Sequence, residues 1–272
     1  VNATDTQLQE MRDDIRQMAT EMPKTAAGLS EIEESAGQLG IQTDNITLFT
    51  RTMADMEVAT NLTSDEAATD FAKFANITNM HQKYFDRLGS SVVALGNNMA
   101  TTESDTVAMG MRIAAAGTQV KLSQADIMAY AASLSSVGIE AEAGGSAFSK
   151  LLVNMQLAAE TGKGLSGYAK TAGMSEQEFQ TAFKNSPTTA INAFLAGLND
   201  TERNGKSAIA VLNDMGIKET RLRDTLLRAA NASDLFADAL QISNSAWEEN
   251  TALANEAEPV SYTHLTLPTN SL

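Results

Sequence analysis

Four times in this chain a glycine stands between two apolar residues: Leu39-Gly40-Ile41, Val137-Gly138-Ile139, Ala172-Gly173-Met174 and Met215-Gly216-Ile217. No other feature constrains the fold as strongly. Glycine enters the left-handed region without a Cβ penalty, so it ends an α-helix, and the apolar residue after it folds back onto the last turn. Polar residues able to open a new helix follow each of the four. A chain punctuated this way is not one continuous rod. It turns back on itself repeatedly, as a string of helical hairpins.

The segments between these stops carry helical spacing. Leu8, Met11, Ile15, Met18 and Met22 alternate steps of three and four, as in a coiled-coil seam, until Pro23 interrupts them. The spacing resumes with Leu29, Ile32, Ala36 and Leu39, and again with Ile46, Phe49, Met53 and Met56. It continues with Met80, Tyr84, Leu88, Val92 and Leu95, then Ile127, Tyr130, Leu134 and Val137. Phe148, Leu151, Leu152 and Met155 follow, and later Ile191, Phe194, Leu195 and Leu198. No comparable stretch alternates with the period of two that a half-buried strand requires. The fold class predicted is all-α, a string of helical hairpins with coiled-coil-like seams and no sheet.

Helix starts are marked too. Ser64, Ser123 and Ser175 stand where an N-cap belongs, Ser175-x-x-Glu178 forms a capping box, and Ser186-Pro187 puts proline in a first turn. The small residues Gly144, Gly145, Ser146 and Ala147 mark either a helix crossing at short range or a plain loop. Gly162-Lys163-Gly164 to Gly167 is the most glycine-dense stretch, and a flexible point is expected near 161–167.

Composition removes several kinds of chemistry. The 272 residues include no cysteine, so there is no disulfide, thiolate metal site or thiol nucleophile. Only His81 and His264 are histidines, which leaves little for an imidazole metal centre or a catalytic triad. The formal net charge of -15 opposes general nucleic-acid binding, which needs Lys and Arg to neutralise phosphates. The carboxylate clusters Asp13-Asp14, Glu31 with Glu33-Glu34, and Glu248-Glu249 contain pairs that are adjacent in sequence, so those side chains diverge by about 100° on a helix. They read as solvated faces rather than acid–base pairs. Thr161-Gly162-Lys163-Gly164 lacks the spacing and the preceding strand of a phosphate loop. The 13 methionines fall at helical spacing and are expected to fill core rather than line a peptide groove. Catalytic, cofactor and metal residues are therefore all predicted to be none, and no cofactor is expected.

No stretch reaches the ~20 apolar residues of a membrane helix, the most apolar one lying between Asp126 and Glu140. Val1 to Arg16 has no apolar core of a signal peptide. The first residue is Val1 rather than Met, so the sequence is expected to begin inside a longer protein. From Pro259 the helical pattern stops. Residues Val260 to Thr269 resemble the translation of a transposon-end adapter used in sequencing libraries, and 259–272 is expected to be a non-native tail.

Three strings carry a resemblance. They are Ala36-Gly37-Gln38-Leu39-Gly40-Ile41; Val93-Ala94-Leu95-Gly96-Asn97-Asn98 with Ala100-Thr101-Thr102-Glu103; and the run from Leu134 through Val137-Gly138-Ile139 and Gly144-Gly145 to Phe148. In order and spacing they resemble the phage tail tape measure protein family, in its TP901-like core region. The resemblance spans Val1 to Glu258, with heptad-patterned helices over 1–60 and the core-like region over 61–258. It implies a structural protein of a phage or prophage tail that occupies the tail lumen and sets tail length. It also implies assembly in the bacterial cytoplasm and residence in the virion, with the tail tube (major tail) protein, tail assembly chaperones and other copies of itself as partners. The family offers no catalytic residue to carry over. The competing reading is a chemoreceptor-like signalling module, equally acidic and alanine-rich. That class needs long unbroken heptads, which the glycine stops deny. A cell-wall hydrolase would need an acid or metal constellation that the sequence lacks.

Overall fold

The computed structural model describes residues 4–203 and 207–265. Among them are fifteen α-helices and one 3-10 turn, with no strand. The predicted all-α class is the one observed. The chain divides into two compact units, residues 1–94 with 245–272 and residues 95–244.

Unit 1 holds α1 (Asp5–Glu21), α2 (Ala26–Gln38), α3 (Thr43–Ala59), α4 (Ser64–Thr78), the 3-10 turn Gln82–Tyr84 and the first part of α5 (Phe85–Asn98). Its last pieces come from far along the chain: the end of α14 (Ser233–Glu249) and α15 (Ala252–Leu265). Helix α3 is central, packing against α1, α2, α4, the 3-10 turn and α15. Its Phe49, Met53 and Met56 are fully buried, beside Leu29 of α2, Phe71 and Phe74 of α4, and Phe85 of α5. Phe49 meets Phe85 edge to face at 4.8 Å, the geometry that sets a ring's positive edge on its neighbour's face.

Unit 2 holds the end of α5, then α6 (Glu103–Gln119), α7 (Gln124–Ser136), α8 (Ala141–Thr161), α9 (Leu165–Thr171), α10 (Glu176–Asn185), α11 (Pro187–Arg203), α12 (Ala208–Asp214), α13 (Thr220–Asn231) and most of α14. Helix α7 is its heart. Every residue from Ala125 to Leu134 except Asp126 is buried, so the helix is apolar all round and has no solvent face. That explains the uncharged run after Asp126: it is a core helix, and no described helix is long and apolar enough to cross a membrane. Tyr130 sits among Phe148 (5.1 Å) and Phe236 (6.0 Å) and donates its hydroxyl to Asn192 Oδ1 at 3.0 Å.

All four predicted glycine stops are helix ends. Gly40, Gly138, Gly173 and Gly216 have φ between 69° and 80°. Each shows both bonds of a Schellman motif, as in Ile41 N–H to Ala36 O (3.0 Å) with Gly40 N–H to Gly37 O (3.4 Å). The returning residues Ile41, Ile139 and Ile217 are buried, while Met174 is half-buried. Two further ends turn back without glycine, Lys121 with both of these bonds and Asn79 with the longer one alone. Asn79 (φ 52°) turns α4 back so that Met80 N–H meets Ala75 O, and Lys121 (φ 66°) turns α6 so that Leu122 N–H meets Gly117 O.

Several expectations shift by a residue or more. The cap before α4 is Thr63, which forms a capping box with Glu66, and Ser64 is the first helical residue. The run from Met80 is not one helix: Met80 closes a turn, and α5 starts at Phe85 after the 3-10 turn. Ser123, Ser175 and Pro187 stand where expected. Gly144 and Gly145 lie inside α8 rather than in a loop, and a Cβ on Gly145 would meet Arg112 Cβ of α6 at 2.4 Å. The small patch is thus the seat of a close helix crossing. The glycine stretch near 161–167 is the turn between α8 and α9, with Gly162 and Gly164 both left-handed. Helix α15 continues through Pro259 to Leu265, past the point where the pattern stops, and residues 266–272 lie outside the described residues.

Candidate functional site

The carboxylates adjacent in sequence are not the ones brought together. Asp13 pairs with Arg16 at 3.0 Å, while Asp14 turns the other way and accepts the Thr47 hydroxyl at 3.0 Å. Asp14 of α1 instead acts on Glu33 of α2: burial first, then the Asp14 charge, push the Glu33 carboxyl above its ordinary range. Glu34 accepts from Gln38 at 3.3 Å and Glu31 is exposed. Glu248 lies 3.7 Å from Arg87, and Glu249 is exposed. His81 is exposed and caps the 3-10 turn, its Nδ1 accepting the Lys83 N–H at 3.3 Å. The side chain of His264 lies outside the described residues. Among the described residues no three of His, Asp and Glu converge as a metal would require.

A different place has the form of a cleft. In unit 2 the C-terminal ends of α6, α8 and α10 converge around an open space of about 650 Å3. Gln119, Gln156, Gln180 and Thr181 edge it, with Phe183 at its apolar side and Lys121, Lys184 and Glu160 as its charges. Three helix C-termini make this a region of negative dipole potential, and Lys184, in the last turn of α10, is placed to offset it. The amides are occupied with structure: Gln180 donates to the Ala159 carbonyl, and Gln156 to Glu160 at 2.9 Å. Thr181 donates back to Gln177 O at 2.8 Å. The bonds these side chains make are structural ones that tie helix ends together. No local pattern marks it, because its lining comes from three helix ends separated by tens of residues.

Unit 2 also exposes Val153 and Leu157, one turn apart on the outer face of α8, at 42% and 52%.

A model of the phage-related minor tail protein family matches residues 12–204, well over half of the chain. The chain belongs to the phage-related minor tail protein family. No curated protein and no solved structure searched matches it. The match takes in all of α2 to α11 and the second part of α1, from Arg12. It therefore includes the glycine turns at Gly40, Gly138 and Gly173, whereas the fourth, Gly216, lies beyond it. This minor tail protein is a virion-associated component of phage tails, and its family is a structural one.

Proposed function

We propose that this minor tail protein is part of a tape measure protein, which lies in the tail lumen during assembly and whose length sets that of the tail. One observation carries the reading. The family match over residues 12–204 encloses the three strings that resemble the tape measure core, including Leu134 to Phe148, in their expected order. The helical architecture supports it, since α-helices convert chain length to distance at about 1.5 Å per residue. The role is structural, and the tail tube protein, the tail assembly chaperones and further copies of the chain are its partners. The short helices, 7–21 residues long, speak against the chemoreceptor-like alternative, which needs long unbroken ones.

The test is genetic. In-frame deletion or duplication within the encoding gene should shorten or lengthen tails in proportion, measured by electron microscopy of the particles. Tails of unchanged length would sink the proposal. The acidic charge fits a protein sharing its channel with DNA, which it must not bind. The fragment should show no salt-dependent binding to duplex DNA at micromolar concentration.

A further inference from the structure

The cleft of unit 2 at the ends of α6, α8 and α10 has an apolar floor and an amide rim. Val120, Ala159 and Phe183 form the floor, all three buried. The rim carries four carboxamides drawn from three helices: Gln119, Gln156, Gln180 and Asn185. Internal bonds use little of their capacity. Gln156 gives one N–H to Glu160 and Gln180 gives one to the Ala159 carbonyl, while Gln119 and Asn185 make no side-chain bond among the described residues. Each carboxamide has two N–H donors and an oxygen with two lone pairs, so most of these groups are left to water.

The charges of the cleft nearly cancel. The ammoniums of Lys121 and Lys184 stand against the Glu160 carboxylate and the partial negative charges of three helix ends. A strongly charged ligand of either sign gains little here. What matches unpaired amides above an apolar floor is another set of amides. A peptide group has the donor and acceptor of a carboxamide, and an extended segment leaves both open while alternate side chains turn to one face. A helix would not serve, because its main chain bonds to itself. A sugar ring needs an open aromatic face, and Phe183 is 5% exposed and stacked on Phe179.

The rim continues into an apolar stripe. Val153 and Leu157, both exposed, stand on α8 three residues before Gln156 and Glu160 and are therefore their surface neighbours. Lys121 holds a left-handed conformation, φ 66°, that glycine takes without cost, and its side chain lines the cleft.

We propose that this cleft binds an extended, uncharged segment of a partner protein, whose main chain pairs with the four carboxamides and whose apolar side chains rest on the floor and on the Val153–Leu157 stripe. Lys121 donates to a main-chain carbonyl at the edge.

The probe is a short peptide of alternating leucine and threonine, blocked at both ends, titrated into the isotope-labelled full chain and followed by NMR on the side-chain amides. The peaks of Gln119, Gln156, Gln180 and Asn185 should shift together with a dissociation constant of about 1 mM. That value should be the same in ~20 mM and ~0.5 M salt, since no ion pair is there to be screened. The same peptide with its main-chain nitrogens methylated should bind at least about tenfold more weakly. Gln119→Ala with Asn185→Ala, both at exposed positions, should weaken binding about tenfold at an unchanged thermal midpoint. Lys121→Gly should weaken binding while raising the midpoint, a split that a purely structural lysine would not give. No shift at ~10 mM peptide, equal binding of the methylated peptide, loss of binding in high salt, or tighter binding of an N-acetylglucosamine oligomer would overturn the proposal. So would shifts of these peaks that grow with protein concentration alone, which would give the cleft to a second copy of the chain.

Discussion

Single residues carry more of this fold's strain than its helix count suggests. Gly197 of α11 has no room for a side chain: a Cβ would lie 1.7 Å from the carbonyl oxygen of Thr171 at the end of α9. Because the obstacle is backbone, Gly197→Ala should cost about 3 kcal/mol, read as a fall in thermal midpoint. Lys121 poses the opposite case, a side chain held in the left-handed region that glycine occupies freely. Lys121→Gly should raise stability by about 1 kcal/mol in denaturant melts. Asp55 of α3 is pushed up to about 6 by burial, only partly offset by Arg51 4.0 Å away. Between its ordinary 3.8 and that value the folded state keeps a proton the unfolded state has released, so stability falls as pH rises through the window. Asp55→Asn should therefore stabilise the protein at pH 7 by on the order of 2 kcal/mol and flatten the slope of thermal midpoint against pH between 4 and 6.

At the level of the element, capping decides where helices begin. Ser175 and Glu178 satisfy each other's backbone N–H groups at the start of α10, and the exposed Glu178 carboxyl is held below its ordinary range by those bonds. Ser175→Ala should cost about 1 kcal/mol, and a double variant with Glu178→Ala should cost less than the sum of the two. This cap was legible because its chemistry is local, and so were the four glycine ends and the all-α class. The ends at Asn79 and Lys121 were not. Lysine is a poor guide to a left-handed residue, and the two backbone bonds of the turn together with the burial of Leu122 hold it there. The cap at Thr63 was misplaced by one residue because threonine and serine stand side by side and cap by the same oxygen. The 13 methionines read as core filler, and ten of them are buried. What no local pattern encodes is partnership between distant segments: Asp14 with Glu33, the three helix ends at the cleft, and Asn250 with Asp86 and Ser90.

Across the whole molecule the net charge is unevenly shared. Unit 1 carries 19 acidic and 7 basic residues for -12, and unit 2 carries 15 and 12 for -3. Self-repulsion therefore weighs on unit 1, and added salt should raise its stability more than that of unit 2, measurable by hydrogen exchange on α3 and α7 in ~20 mM and ~0.5 M salt. Neither unit is complete within the family match. Unit 2 needs α13, whose Leu222 and Leu226 are buried, and unit 1 needs Leu253. A chain cut at residue 204 should lose its cooperative melt and bind a hydrophobic dye; a sharp transition would contradict this. The split of unit 1 also orders events on the ribosome. Its first 94 residues emerge early, yet α15, whose Leu253 packs on Gly89, follows only after the 150 residues of unit 2. At bacterial elongation rates that interval is roughly 8–30 s. Throughout it unit 1 lacks its last helix, while unit 2, contiguous in sequence, can fold without waiting. The nascent chain can thus complete its middle unit before its first one.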